Sequence, residues 1–223
     1  MRRKLTIFLG CALLPALLTL SKPAFAGPPL LCHPFEIGGA KSLPWAGGRN
    51  FNSPDQAYDA GRLAQDTLSL LRSDTPVIVH METLRRAALY GIKDQRAEYE
   101  LLARLTARAL STETGGKPDP VALFDAGYLI ETLKQAAWLY KRNLAEGLDG
   151  AALVLKAVAS GVDTPSMEFA ASLMHDGKWP NEHFRRAVTV ATEGSLVARN
   201  LVLYSGEKGQ SIAGLRTKYA RKQ

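Results

Sequence analysis

Among adjacent residues in this chain, Cys32 and His33 form the pair best suited to carry out chemistry. A thiolate beside an imidazolium ion has a lowered pKa and is a better nucleophile. Side chains of sequence neighbours in an extended segment point to opposite sides, so the pair works together only if the backbone turns back. Glu36 would then be the group that orients the imidazole. Two interpretations stay open, which are thiol chemistry and a packed, unreactive cysteine.

The remaining histidines, His80, His175 and His183, give no local signature of a metal site. Structural zinc sites place paired ligands at short fixed spacings, and neither His-x3-His nor Cys-x2-Cys occurs here. His175-Asp176 and Glu182-His183 flank a predicted turn at which a metal or acid–base site could form. Their charges also suit the dipoles of the helix ends that carry them. The sequence therefore predicts no bound metal and no cofactor.

Motifs of the common enzyme classes are absent from the sequence. It contains no Gly-x-Ser-x-Gly elbow, no phosphate-binding glycine-rich loop with Lys-Ser or Lys-Thr, and no dinucleotide fingerprint. Gly115-Gly116-Lys117 lacks a preceding strand and is interpreted as a linker between helices. We therefore predict no catalytic residues and expect a protein without enzymatic activity.

Aromatic side chains supply most of the candidate binding residues. Two lie close to the cysteine–histidine pair, and two lie at helical spacings further along the chain. Such side chains combine a large apolar area with a polar edge, which suits interfaces, although at helical spacings they also fill cores. The predicted binding residues are Cys32, His33, Phe35, Trp45, Tyr128 and Trp138.

Residues 1–26 have the order of a secretory signal. A cationic start at Arg2–Lys4 precedes a 16-residue apolar run, Leu5–Leu20, and Ala24-Phe25-Ala26 supplies the small residues of a cleavage site. A membrane span needs about 20 apolar residues, so cleavage near Ala26 is favoured over a retained anchor. Lipoprotein processing at Cys11 is disfavoured because too few apolar residues precede it. We expect a periplasmic or secreted protein.

Charge and cysteine content limit the possible partners. The signal holds four of the 28 basic residues and none of the 21 acidic ones, so the net charge falls from +7 to +3 on cleavage. The basic pairs, among them Arg85-Arg86 and Arg185-Arg186, are scattered and are interpreted as solvated helix faces. We therefore expect no nucleic-acid partner.

Loss of Cys11 leaves Cys32 without an intramolecular disulfide partner. No later stretch is apolar enough to cross a membrane.

Residues 27–53 are predicted to form an irregular arm. Proline and glycine recur too often for a helix or a long strand. The arm is nevertheless rich in large apolar residues, which a disordered tail would lack, so we expect it to be ordered by packing along the following domain. The predicted organisation is a signal peptide at 1–26, the arm at 27–53 and a helical domain at 54–223.

The helical domain shows apolar residues at spacings of three and four. Ser53-Pro54-Asp55 is the predicted start of its first helix, and Asp119 is the predicted N-cap of a long one. Short loops between the helices favour antiparallel hairpins. The approximate predicted helices are 53–71, 77–91, 94–110, 120–142, 149–159, 164–177, 182–191, 195–204 and 210–221.

Two sequence segments recur within the chain. Met81–Tyr90 aligns with Ile130–Tyr140 at an offset of 49 residues when one inserted residue is allowed, and Tyr58–Leu63 aligns with Phe124–Leu129 at an offset of 66. A true repeat has one fixed period, so a degenerate repeat and chance similarity between alanine-rich helices both stay open.

The helix pairs resemble those of tetratricopeptide-type solenoids, although that family's spaced Trp-Leu-Gly-Tyr and terminal proline pattern cannot be aligned with them. The resemblance implies partner binding in general and no particular site residues. The arm, through Pro28–Gly38 and Lys41–Trp45, resembles the start of exported bacterial proteins of uncharacterised function. That second resemblance implies a family and brings no activity.

The predicted fold is all-α, a right-handed stack of antiparallel helical hairpins like a tetratricopeptide solenoid, with an irregular N-terminal arm. The leading hypothesis is an exported interaction module that binds a protein or peptide of the cell envelope. The arm would fill the concave face or itself be a ligand. The alternative hypothesis is an envelope thiol enzyme or redox protein that uses Cys32 with His33. A third is a structural protein whose basic C-terminal helix touches anionic lipid. The sequence leaves the oligomeric state open.

Overall fold

A computed structural model describes residues 29–47, 51–114, 116, 118–142, 144–174, 179–207 and 209–220. This part of the chain is all-α, as predicted, and its one β feature is an isolated antiparallel bridge between Trp45 and Pro54. The predicted signal peptide lies outside the described residues. The helices are α1 (Pro29–Cys32), α2 (Leu63–Leu70), α3 (Val77–Gly91), α4 (Gln95–Thr114), α5 (Pro120–Tyr140), α6 (Gly150–Ala159), α7 (Thr164–Met174), α8 (Glu182–Val190), α9 (Leu196–Tyr204) and α10 (Ile212–Ala220).

Polar side chains fix the starts of several helices. The Asp119 carboxylate accepts hydrogen bonds from the first free amides of α5, as the sequence predicted. Ser195 caps α9 and Asn181 caps α8 in the same way. The helix α5 ends at Tyr140, two residues before the predicted end, because Lys141 adopts a left-handed conformation with φ of 59°.

The predicted helix start at Ser53-Pro54-Asp55 is wrong. The Ser53 carbonyl accepts the Ala46 amide at 3.1 Å, and the Asp55 amide donates to the Tyr90 hydroxyl at 2.9 Å. These contacts with distant residues hold the segment in an irregular conformation. The helical path begins only at a 3₁₀ turn, Ala60–Arg62, whose N-cap is Asp59, and it continues directly into α2.

The helices α5 and α6 approach each other closely at a pair of glycines. A Cβ atom added to Gly127 would lie 2.5 Å from the Gly150 carbonyl oxygen, so a larger residue would force the helices apart. Glu131 on α5 also accepts the Ala151 amide at the start of α6, at 3.1 Å. The helix α5 also packs against α3, and these two helices carry the longer of the two recurring sequence segments.

The arm packs into the same core as the helices. It contains the one-turn helix α1, which the sequence did not predict, and its side chains Leu30, Leu31, Phe35 and Leu43 are almost completely buried. The turn α1 contacts α3, α5 and α7. None of the described helices has the length and apolar content that crossing a membrane requires.

Candidate functional site

The helices α3, α5, α7 and α9 present one continuous set of side chains to the arm, here called the arm-binding face. Helix backbone groups are already bonded within their own helices, so where the arm meets the helices it is their side chains that bond its backbone. The arm-binding face consists of Glu82, Arg85, Arg86, Tyr90, Gln135, Phe169, Asn200 and Tyr204.

Asn200 on α9 forms hydrogen bonds with both backbone polar groups of one arm residue, Glu36. Its Oδ1 accepts the Glu36 amide at 2.8 Å, and its Nδ2 donates to the Glu36 carbonyl at 2.8 Å. Nδ2 also donates to the Leu196 carbonyl within α9, so the amide of this fully buried side chain is completely used. A contact of this kind reads the peptide backbone and is independent of the side chain that the backbone carries.

The centre of the arm-binding face is a buried cluster of three charges on α3. Arg85 meets the Glu82 carboxylate with two hydrogen bonds, at 2.7 and 2.9 Å, and Arg86 adds a third at 2.7 Å. Burial acts to raise the pKa of Glu82, but the hydrogen bonds and charges of both arginines outweigh it. The pKa of Glu82 therefore lies below its ordinary value, and the carboxylate is ionised at neutral pH.

Backbone groups of the arm complete this cluster. Arg85 Nη1 donates to the Leu31 carbonyl at 3.1 Å and to the Phe51 carbonyl at 3.0 Å, and Arg86 Nη1 donates to the Leu43 carbonyl at 2.7 Å. Buried ions are stable only when all of their hydrogen-bonding groups are paired. The arm and the charged cluster therefore depend on each other.

Arg85 corrects one interpretation of the sequence. The pair Arg85-Arg86 was expected on a solvated helix face, whereas the Arg85 side chain is 0% exposed. The sequence does contain a pattern that indicates this burial. Glu82 lies three and four residues before the two arginines, within the largely apolar sequence of α3. Charged residues at those spacings inside an apolar helix indicate a buried ion cluster.

Ring contacts fix Phe35 and Trp45, two of the four predicted binding residues in the arm. The Phe35 ring stacks on Tyr204 at a centroid distance of 5.4 Å and meets the Phe169 ring edge-on at 6.0 Å. The Trp45 ring meets Tyr90 edge-on at 6.0 Å, and the guanidinium of Arg85 lies 5.1 Å from its centroid. Both rings are thus engaged within the chain.

The surroundings of Cys32 and His33 act against an activated pair. Burial raises the pKa of the Cys32 thiol by more than the nearby charge of Arg85 lowers it. Burial also lowers the pKa of His33. A thiolate–imidazolium pair requires the opposite shifts. Glu36, the group expected to orient the imidazole, instead pairs with Arg199 at 2.7 Å.

The last two predicted binding residues, Tyr128 and Trp138, lie in different environments on α5. Tyr128 is fully buried and stacks on Phe124 at 5.5 Å, and burial raises its pKa well above the ordinary value. Trp138 is 67% exposed. The structure therefore gathers Cys32, His33, Phe35 and Trp45 in the arm, while Tyr128 belongs to the core and Trp138 to the surface.

The described histidines outside the arm make structural contacts. His80 is fully buried on α3, with Nδ1 2.7 Å from Asp125 Oδ1 and Nε2 3.1 Å from the Arg72 carbonyl oxygen. His183 lies 2.6 Å from the buried carboxylate of Glu168. The proposed partners His175-Asp176 lie outside the described residues. Within the described ranges, no group of three or more His, Cys, Asp or Glu side chains is arranged to hold a metal ion.

An open groove adjoins the arm at Glu36, between α9 and α10. Its volume is about 450 Å³, and Leu203 on its wall is 61% exposed. Its lining combines apolar side chains with three charged ones, Glu36, Glu193 and Arg199, which are here called the rim. The lining includes Glu36, Glu193, Arg199, Val202, Leu203 and Ile212.

A larger depression, of about 610 Å³, lies at the start of α4. Its lining is mainly charged or polar, with Tyr99 and Leu144 as the apolar contributions, so it offers little apolar contact.

Comparison of the chain with protein-family models, curated proteins and solved structures found no match. The arm-binding face and the open groove are therefore the two regions from which a function is proposed.

Proposed function

We propose that this protein is an exported, non-enzymatic interaction module that binds a peptide segment of a partner protein in the cell envelope. Its helices are proposed to form stacked antiparallel hairpins, with the arm lying in the concave face of the stack. The cationic, apolar and small-residue order of residues 1–26 supports export. The contacts of the arm with α3, α5, α7 and α9 support the proposed position of the arm.

The strength of the arm's contacts argues that a partner binds beside the arm and does not replace it. Burial of Leu30, Leu31, Phe35 and Leu43 stabilises the docked arm by about 6–12 kcal/mol, at about 1.5–3 kcal/mol for each side chain. Displacement would also leave the buried ions of α3 without their arm carbonyls. The arm is therefore a fixed part of the fold.

The observation that carries the proposal is the open groove beside the arm. Its volume falls within the range of about 300–1,000 Å³ that is typical of binding pockets. Leu203 and Val202 offer apolar contact, and the Glu36–Arg199 ion pair forms part of a polar rim. Protein interfaces commonly combine apolar contacts with polar groups.

A photo-crosslinking residue at position 203 of the full-length protein tests this function in cells. Leu110 on α4 is 54% exposed and supplies the matched control position. We expect position 203 to crosslink to one segment of one envelope protein, and a synthetic peptide of that segment to bind the purified protein. Leu203→Glu should abolish this binding. Equal crosslinking at positions 203 and 110, or a peptide that binds Leu203→Glu unchanged, would contradict the proposal.

A further inference from the structure

The rim of the open groove carries one unbalanced negative charge. Glu36 and Arg199 neutralise each other through a contact of 2.7 Å. Glu193 is exposed on the same rim, and within the described part of the chain it makes no ion pair. The groove is therefore locally acidic, although the mature chain carries a net charge of +3.

Glu193 does not supply the cap of α9. A carboxylate before a helix favours the helix dipole, and Glu193 precedes α9. The cap of α9 is nevertheless supplied by Ser195, whose Oγ accepts the Ala198 amide at 3.2 Å. Gly194, with φ of 76°, makes the turn between Glu193 and that cap.

We propose that the segment bound in the groove carries a lysine or arginine next to a bulky apolar side chain. This inference rests on the proposed function of the groove and names the chemistry of its ligand. The apolar side chain would cover Leu203 and Val202, while the cation would lie against Glu193. An acidic segment would instead bring a second carboxylate towards Glu193, so the rim would select against it.

Two peptide probes test the charge preference directly. They are acetyl-Ala-Leu-Leu-Lys-Ala-amide and its counterpart with Glu in place of Lys. Binding to the mature chain, residues 27–223, is followed by the NMR shifts of Val202 and Leu203 at low salt. We expect the lysine peptide to bind about two- to five-fold more tightly, the range of exposed ion pairs, and the difference to shrink at high salt.

Two variants decide whether Glu193 is responsible. Glu193→Lys should reverse the preference, whereas Glu182→Gln, at an exposed carboxylate on α8 outside the groove lining, should leave it unchanged. Equal binding of both peptides, or a preference that survives Glu193→Lys, would overturn this inference. The groove would then be a peptide site at which Glu193 sets no charge preference. If neither peptide shifts the groove resonances, the proposed function of the groove fails as well.

Discussion

The arm-binding face and the open groove meet at one arm residue, Glu36, and two consecutive residues of α9 serve them differently. Asn200 is fully buried and holds the Glu36 backbone, whereas Arg199 is half-exposed and holds the Glu36 carboxylate. Buried polar contacts are costly to break, and exposed ion pairs contribute little. The arm-binding face therefore stabilises the fold through buried contacts, whereas the ion pair beside the groove contributes little to stability.

The largest expected effect comes from the centre of the arm-binding face. Glu82→Ala leaves the charge of Arg85 buried without its partner, so the free energy of unfolding should fall by about 3–5 kcal/mol. Urea unfolding measures this change. Glu182→Ala, at a carboxylate that is 75% exposed, is the control and should change the same quantity by less than about 0.5 kcal/mol. Similar small losses in both variants would show that the Glu82 cluster does not stabilise the fold.

A smaller loss is expected where the arm meets α9. Asn200→Leu removes both hydrogen bonds to the Glu36 backbone and leaves its amide and carbonyl unpaired. The free energy of unfolding should fall by about 1–3 kcal/mol, measured by thermal or urea unfolding. An unchanged stability would show that the arm does not depend on this contact.

Acid should weaken the arm-binding face through Glu82. Its pKa lies below the ordinary value of 4.5, so its stabilisation is present above pH 4.5 and is lost as the pH falls through its folded-state pKa. Asp125 and Glu98 have pKa values raised by burial and therefore act in the opposite sense. The stability difference between the wild type and Glu82→Gln isolates the Glu82 contribution. That difference should shrink below pH 4.5, and a constant difference would contradict the prediction.

The smallest effect on stability is expected on the groove rim. Arg199→Ala breaks an ion pair whose side chains are 48% and 40% exposed, so the free energy of unfolding should change by less than about 1 kcal/mol. Urea unfolding of this variant beside Asn200→Leu compares neighbouring residues on one helix. A loss for Arg199→Ala as large as that for Asn200→Leu would place the rim within the stabilising core.

Local signals in the sequence predicted much of the fold. The helix α3 spans the predicted residues Val77–Gly91, and Asp119 caps α5 as expected, because both features depend on residues close together in the chain. The contacts of the arm-binding face join distant residues. Glu36 and Asn200 are 164 positions apart, and Arg85 and Leu31 are 54 apart.

Sequence spacing carries no information about pairs so far apart. This is why the sequence indicated Cys32, Phe35 and Trp45 but missed Glu82 and Asn200, which hold the backbone of the arm. The false helix start at Ser53 has the same cause, because Tyr90 binds the Asp55 amide and overrides the local capping signal.

Amide hydrogen exchange of the arm measures whether the arm is a fixed part of the fold. The amides of Phe35 and Glu36 donate to Glu82 and Asn200. They should exchange as slowly as the amide of Leu84 in the middle of α3, through global unfolding only. Exchange of both arm amides as fast as that of the exposed Gly194 amide, with α3 still protected, would show that the arm detaches and would contradict the account.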